Sequence, residues 1–129
     1  MDFHYTVTTK KSMEEAIQSL AEKLKEKKFG ILWDLDITQK LKANGVTSFQ
    51  SPYRILEVCN PNEAGDVLQT DMLAGYFLPC KITVYESEGS TKIGLPKPTA
   101  LISMLDRPEL KDKAEDIENT LIAVLNSCK

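Results

Sequence analysis

The sequence has few of the residues that common catalytic and metal-binding motifs require. Its 129 residues include a single histidine, His4, and three cysteines without a CxxC pair. Zinc-finger, zincin and thioredoxin-type spacings are therefore missing, and a Ser-His-Asp triad would have to use His4. No glycine-rich phosphate loop or nucleophile elbow occurs either, so the sequence points to no particular cofactor.

Long apolar runs and an excess of basic charge are also missing. No run approaches the roughly 20 apolar residues of a membrane-spanning helix, and the N-terminus MDFHYTVTTKK lacks the basic-then-apolar pattern of a signal peptide. The 19 acidic and 16 basic residues are interspersed and give a formal net charge of -3, which leaves no basic patch to neutralise phosphates. We therefore expect a cytoplasmic protein that binds neither nucleic acid nor membrane.

The composition is that of an ordinary globular protein, with 42% hydrophobic and 27% charged residues. A chain of this length can build one hydrophobic core, so we predict a single domain over residues 1–129. Three cysteines cannot all pair within one chain, and such a domain does not need disulfides, so we expect reduced thiols. Cys128, near the end of the last predicted helix, is expected to be a packing residue.

The spacing of apolar residues predicts a mixture of strands and helices. Period-two alternation predicts strands at FHYTVTT, ILWDLDI, YRILEVC, LPCKITVYE and STKIGL. Helical spacing predicts helices at SMEEAIQSLAEKLKEKKFG, TQKLKANG, NPNEAGDVLQTD and DRPELKDKAEDIENTLIAVLNSCK. LPKPTALISML is predicted as a loop with one short helical turn. About five strands with helices to cover one face predict an α+β two-layer sandwich with a mixed, largely antiparallel sheet.

Capping signals mark the helix ends. Ser12 and Glu15 form a capping box at the start of the first helix, and Gly30 is predicted to supply its left-handed exit. Asn60 is a favourable N-cap at the end of YRILEVC, and Pro61 suits the first helical position after it. A helix is therefore expected to begin directly at the end of that strand.

Three segments in this order, GILWDLDITQKLKANGV, PYRILEVCNPNEA and LPCKITVYE, resemble the family catalogued as domain of unknown function 302. The resemblance covers nearly the whole chain, and its most specific pieces are residues 53–56, 59–61 and 78–80. It implies a compact two-layer α/β domain that associates as a homodimer. It implies no reaction.

Two cysteines are candidates for thiol chemistry. Cys59 directly precedes Asn60, where the helix dipole and unpaired backbone N–H groups favour a thiolate, although a small hydrophobic residue filling the junction would give the same pattern. If the strand that Cys80 begins lies beside YRILEVC, the two sulfurs approach each other and could bind a soft metal or form a disulfide. Alternation places Cys80 on the core side and Cys59 on the other side, which argues against a ready pair.

Four polar residues fall on the predicted non-core side of the strands: His4, Asp34, Asp36 and Glu57. Adjacent strands could gather them into a metal site or an acid–base pair, although a solvated sheet surface has the same pattern. Arg54 could grip a ligand carboxylate or phosphate. We favour an internal ion pair between Arg54 and one of these three carboxylates.

The leading functional hypothesis is a non-catalytic or accessory homodimer that binds a small ligand. Its pocket is expected near the strand-to-helix junction of Cys59, Asn60 and Pro61, with Cys80 and Arg54 close by. One alternative is a thiol-based enzyme, or a sulfur or metal carrier, that uses Cys59 and Cys80. The other is a structural dimer without a ligand.

Overall fold

The structure is a computed structural model that describes residues 2–129. Five strands form one open sheet in the order β1-β5-β4-β3-β2, and all four pairings are antiparallel. The strands are β1 (His4–Thr9), β2 (Gly30–Asp36), β3 (Tyr53–Cys59), β4 (Cys80–Ser87) and β5 (Ser90–Pro96). The predicted α+β fold is confirmed.

Five α-helices accompany the sheet: α1 (Met13–Glu26), α2 (Ile37–Ala43), α3 (Pro61–Thr70), α4 (Pro98–Ile102) and α5 (Pro108–Ser127). Two 3₁₀ helices follow α3 and α4, at Met72–Phe77 and Ser103–Leu105. The segment LPKPTALISML is thus mostly helical rather than a loop, because Pro98 stands at a first helical position, where its missing N–H costs no hydrogen bond. None of the helices described in residues 2–129 is long and apolar enough to cross a bilayer.

The hydrophobic core lies between the sheet and the two long helices. Five helix-facing residues of the three inner strands are fully buried, namely Leu56, Val58, Ile82, Val84 and Ile93. Helices α1 and α5 pack Leu20, Leu24, Leu121 and Leu125 against them. Cys128 is also fully buried in this cluster, as predicted.

The opposite side of the sheet is not packed by the long helices α1 and α5 and is called the open face below. Rows of directly opposed residues in adjacent strands share this face. Its side chains include Trp33, Leu35, Tyr53, Ile55, Glu57, Lys81, Thr83, Tyr85, Lys92, Thr6 and His4. The open face is therefore a mixed surface in which aromatic and aliphatic groups are prominent.

The capping predictions hold at two helix starts. Ser12 and Glu15 form the predicted capping box of α1, and the side chain of Asn60 accepts hydrogen bonds from the backbone N–H groups of two residues in α3. Gly30 is not the left-handed exit. Helix α1 ends earlier, Lys28 takes the positive φ of 65°, and Gly30 already begins β2.

A bulge at Leu32 changes the side on which the rest of β2 presents its residues. Ile31 pairs with Val58, but the next paired residue is Trp33, opposite Glu57. One extra residue in a strand reverses the alternation beyond it. Asp34 and Asp36 therefore lie on the helix side of the sheet, and their predicted place on the non-core side is wrong.

Candidate functional site

A largely apolar cavity of about 420 Å³ lies between the two layers at one end of the sheet, and we call it the interlayer cavity. Its helix side is formed by α3, the 3₁₀ helix Met72–Phe77, α4 and α5, and its sheet side by the ends of β4 and β5. Leu110, Ala114, Ile117 and Leu121 line it from successive turns of α5. The volume is within the usual range of small-molecule pockets.

The cavity lies where two central strands separate. The hydrogen-bonded ladder between β4 and β5 ends at Thr83 and Gly94. Beyond this point β4 continues beside β3 as far as Cys80, and β5 continues beside β1 as far as Pro96. The two strands therefore do not pair with each other at this end, and the opening between them is lined by Lys81 and Leu95.

Two charged residues stand at this opening. Glu57 on β3 and Lys81 on β4 are directly opposite each other, and both line the interlayer cavity. Lys81 is exposed, whereas Glu57 is half-buried. Among residues 2–129, neither side chain forms an ion pair within 4.0 Å. Both charges are thus available to a ligand.

A second cavity lies on the open face and shares three lining residues with the first: Lys81, Leu95 and Pro96. Its other walls carry the rings of Phe3, His4, Tyr53 and Tyr85, the hydroxyls of Thr6 and Thr83, and the backbone at Gly94. The two tyrosine rings are stacked, with centroids 4.9 Å apart. Lys81 therefore lines both the interlayer cavity and a second cavity whose lining contains no carboxylate.

Cys80 lines the interlayer cavity, and its side chain is a protonated thiol, which is less reactive than a thiolate. It lies opposite the buried Val58, on the helix side of the sheet, as the alternation predicts. Burial, and secondly the neighbouring Cys59, raise the pKa of Cys80 to about 11, since both disfavour a thiolate. The two cysteines are near each other, yet Cys59 lies opposite Gly30 and does not line either cavity. Both thiols are free.

The other predicted ligand-binding residues have structural partners. The Arg54 guanidinium donates to both carboxylate oxygens of Asp34, at 2.8 and 2.5 Å, and to Glu14 of α1 at 2.6 Å. These carboxylates raise the pKa of Arg54. Asn60 caps α3 and Pro61 occupies its first turn. None of Arg54, Asn60 or Pro61 lines either cavity.

The four weak metal-ligand candidates do not come together. His4 is on β1 at one edge of the sheet and Asp34 is on β2 at the other, with three strands between them. Asp36 caps α2 by accepting a hydrogen bond from the backbone N–H of Gln39, and Glu57 lies on the open face. No group of three or more potential ligands is found among the described residues 2–129.

Sequence patterns do not identify most of the cavity residues. Nothing in the pattern marks Lys81, and the spacing of apolar residues in α5 predicts only a helix. A usable signal was the number of apolar side chains in MLAGYF and LPKPTALISML, which is high for solvated connections. Phe77 and Leu101 from these two segments line the interlayer cavity. The cavity beside these two residues depends on how the helix and sheet layers pack. Sequence periodicity gives no information about that packing.

Comparisons with known proteins agree with this architecture. The family model described as "Domain of unknown function DUF302" matches residues 5–128. A crystal structure of an uncharacterized conserved DUF302 protein from Bacillus stearothermophilus is 50% identical in sequence and covers 100% of both chains, with a TM-score of 0.97. A search of curated proteins gave no match. By sequence over almost its whole length and by fold, the chain belongs to the DUF302 family.

Proposed function

We propose that this protein binds a small, mainly apolar ligand in the interlayer cavity and works as a homodimer. The observation that carries the proposal is the 420 Å³ space between α5 and the separated ends of β4 and β5. A well-packed core of this size has few voids larger than a water molecule, because each void forfeits dispersion contacts. A pocket lined by apolar side chains with a few polar groups at one side is the usual design of a ligand site.

The position of the cavity also favours binding over simple loose packing. Its wall includes the exposed ring of Tyr76, which is 82% accessible, so the cavity reaches the protein surface.

The homodimer part of the proposal rests on the open face. Trp33 on β2 is 54% exposed, Leu32 beside it 62%, and Phe3 at the other edge 57%. Together with Ile55 and the stacked tyrosines, they give the uncovered side of the sheet a large apolar area. Exposed apolar patches of this kind mark association sites, and a two-fold axis allows the same face to pack against itself.

The thiol alternative has weaker support. A nucleophilic or metal-binding cysteine needs a thiolate near neutral pH, whereas Cys80 keeps its proton because its pKa is raised to about 11. We therefore assign Cys80 to the cavity wall.

Filling the cavity tests ligand binding. Ala114→Phe places a ring in the interlayer cavity, so it should abolish binding of Nile red, an uncharged apolar fluorophore, measured by its fluorescence. Ala123→Phe is the matched control, because Ala123 is exposed on the same helix and should leave binding intact. Since the new ring enters empty space, the free energy of unfolding should change by less than about 1 kcal/mol, whereas overpacking a filled core costs roughly 1–3 kcal/mol. Undiminished Nile red binding by Ala114→Phe would contradict the proposal.

A charge on the open face tests the dimer. Thr83 is on the central strand of the sheet, so Thr83→Lys places two like charges near each other in a face-to-face dimer. Light scattering coupled to size exclusion should give a dimer for the wild type and a monomer for this variant. Leu68→Lys, on the helix side, should remain dimeric. A wild type that is monomeric at micromolar concentration would rule out the homodimer.

The pH dependence of alkylation tests the role of Cys80. With a pKa of about 11, roughly one thiol in a thousand is ionised at pH 8, so the native protein should react slowly and its rate should still be rising at pH 10. Mass spectrometry of the modified peptide gives this rate, and the urea-unfolded chain is the control, with a midpoint near 8.5. A native midpoint below 8 would revive the thiol alternative.

A further inference from the structure

We propose that the ligand of the interlayer cavity is an amphiphilic anion, with its apolar part between the layers and a carboxylate held by Lys81. This inference deepens the proposed function and rests on it. The apolar part follows from the lining, which α5 supplies with leucine, isoleucine and alanine side chains. Such a surface gains free energy when it covers alkyl or aromatic groups rather than water.

The sign of the head group follows from the two charges at the strand opening. Lys81 lines both cavities, and its ammonium group has no carboxylate partner among residues 2–129. Two lysines that are next in sequence to cavity-lining residues have ion-pair partners: Lys113 pairs with Glu63 and Asp66, and Lys97 pairs with Asp2. An unpaired ammonium group beside an apolar cavity favours a ligand that brings its own negative charge.

Glu57 is the feature that opposes an anion, and its place restricts where the head can lie. Glu57 lines the interlayer cavity but not the open-face cavity. On the open-face side, Lys81 is accompanied by Thr83, whose hydroxyl can donate a hydrogen bond to a carboxylate. His4 and Thr6 also line this side; they are hydrogen-bonded to each other at 3.0 Å and leave one further donor between them. The head group is therefore assigned to the open-face side of Lys81, away from Glu57, and in the proposed homodimer it lies between the two facing sheets.

The separation of the strands gives this arrangement a physical reason. Where β4 and β5 no longer pair, their facing backbone groups lack the ladder partners that they would have in a continuous sheet. A ligand with a polar head can occupy that opening and form hydrogen bonds there. A purely apolar ligand would leave the backbone groups of β4 and β5 without partners. An amphiphile therefore fits both the cavity and its mouth.

Three probes of equal chain length separate the contributions of tail and head: dodecanoate, dodecanol and dodecyltrimethylammonium. Calorimetric titration is done below the micelle concentrations of the two ionic probes and below the solubility limit of dodecanol. It should give the tightest binding for dodecanoate, on the order of fivefold better than dodecanol, since an exposed charge pair contributes modestly. The trimethylammonium probe should bind weakest. Lys81→Gln should lower dodecanoate affinity to that of dodecanol and leave dodecanol affinity unchanged.

Lys92→Gln is the matched control, because Lys92 is also on the open face, donates to Thr8 and lines neither cavity. It should keep the preference for dodecanoate. The inference would be overturned, while ligand binding stands, if the wild type bound dodecanoate and dodecanol with equal affinity. It would also be overturned if the two lysine variants lost the same amount of dodecanoate affinity. Failure of all three probes and of Nile red to bind would overturn the proposed function as well.

Discussion

Past Thr83 and Gly94, β5 stays paired with β1 while β4 stays paired with β3, and this divided pairing determines the rest of the candidate site. Gly94 is the residue at which the division begins. A Cβ atom built there would lie 2.8 Å from the hydroxyl oxygen of Thr6, so a larger residue at this position would require the Thr6 side chain to move. The close contact with β1 is compatible with β5 leaving β4, and the cavity lies in the resulting space.

The charged residues divide into those that hold the fold together and those that remain available. Arg54 joins β3 to β2 and α1 through Asp34 and Glu14, which makes it a structural bridge at one edge of the sheet. Its fixed guanidinium has few donors left for a ligand. Lys81 and Glu57 face each other without an ion pair at the strand opening. The proposed ligand binding therefore relies on electrostatic recognition beside an apolar cavity.

Local sequence signals predicted most of the secondary structure because they depend on nearby residues. The capping box of Ser12 and Glu15, the Asn60 cap and the alternation in YRILEVC are all reproduced. The bulge at Leu32 was not predicted, since a bulge depends on pairing with β3, and it moved Asp34 and Asp36 to the other side of the sheet.

The candidate site was less predictable than the fold for the same reason. Of the five residues expected to bind a ligand, Cys80 alone lines a cavity, because the junction at Cys59 is occupied by a helix cap rather than by an opening. Alternation placed His4 on the correct face of the sheet. The strand order, however, puts His4 at the opposite edge of the sheet from Asp34. Pairings between distant segments, and the space they leave, are not encoded in periodicity.

Crystals pressurised with xenon test the central claim, that the separation of β4 and β5 leaves a real apolar cavity against α5. Apolar cavities of this size take up xenon, and the gas carries no charge that would attract it to Lys81. The account predicts xenon density beside Ala114 and Leu121 at the end of the β4–β5 ladder. A cavity that stays free of xenon, with Leu110 and Ile117 closed over the strand ends, would contradict it.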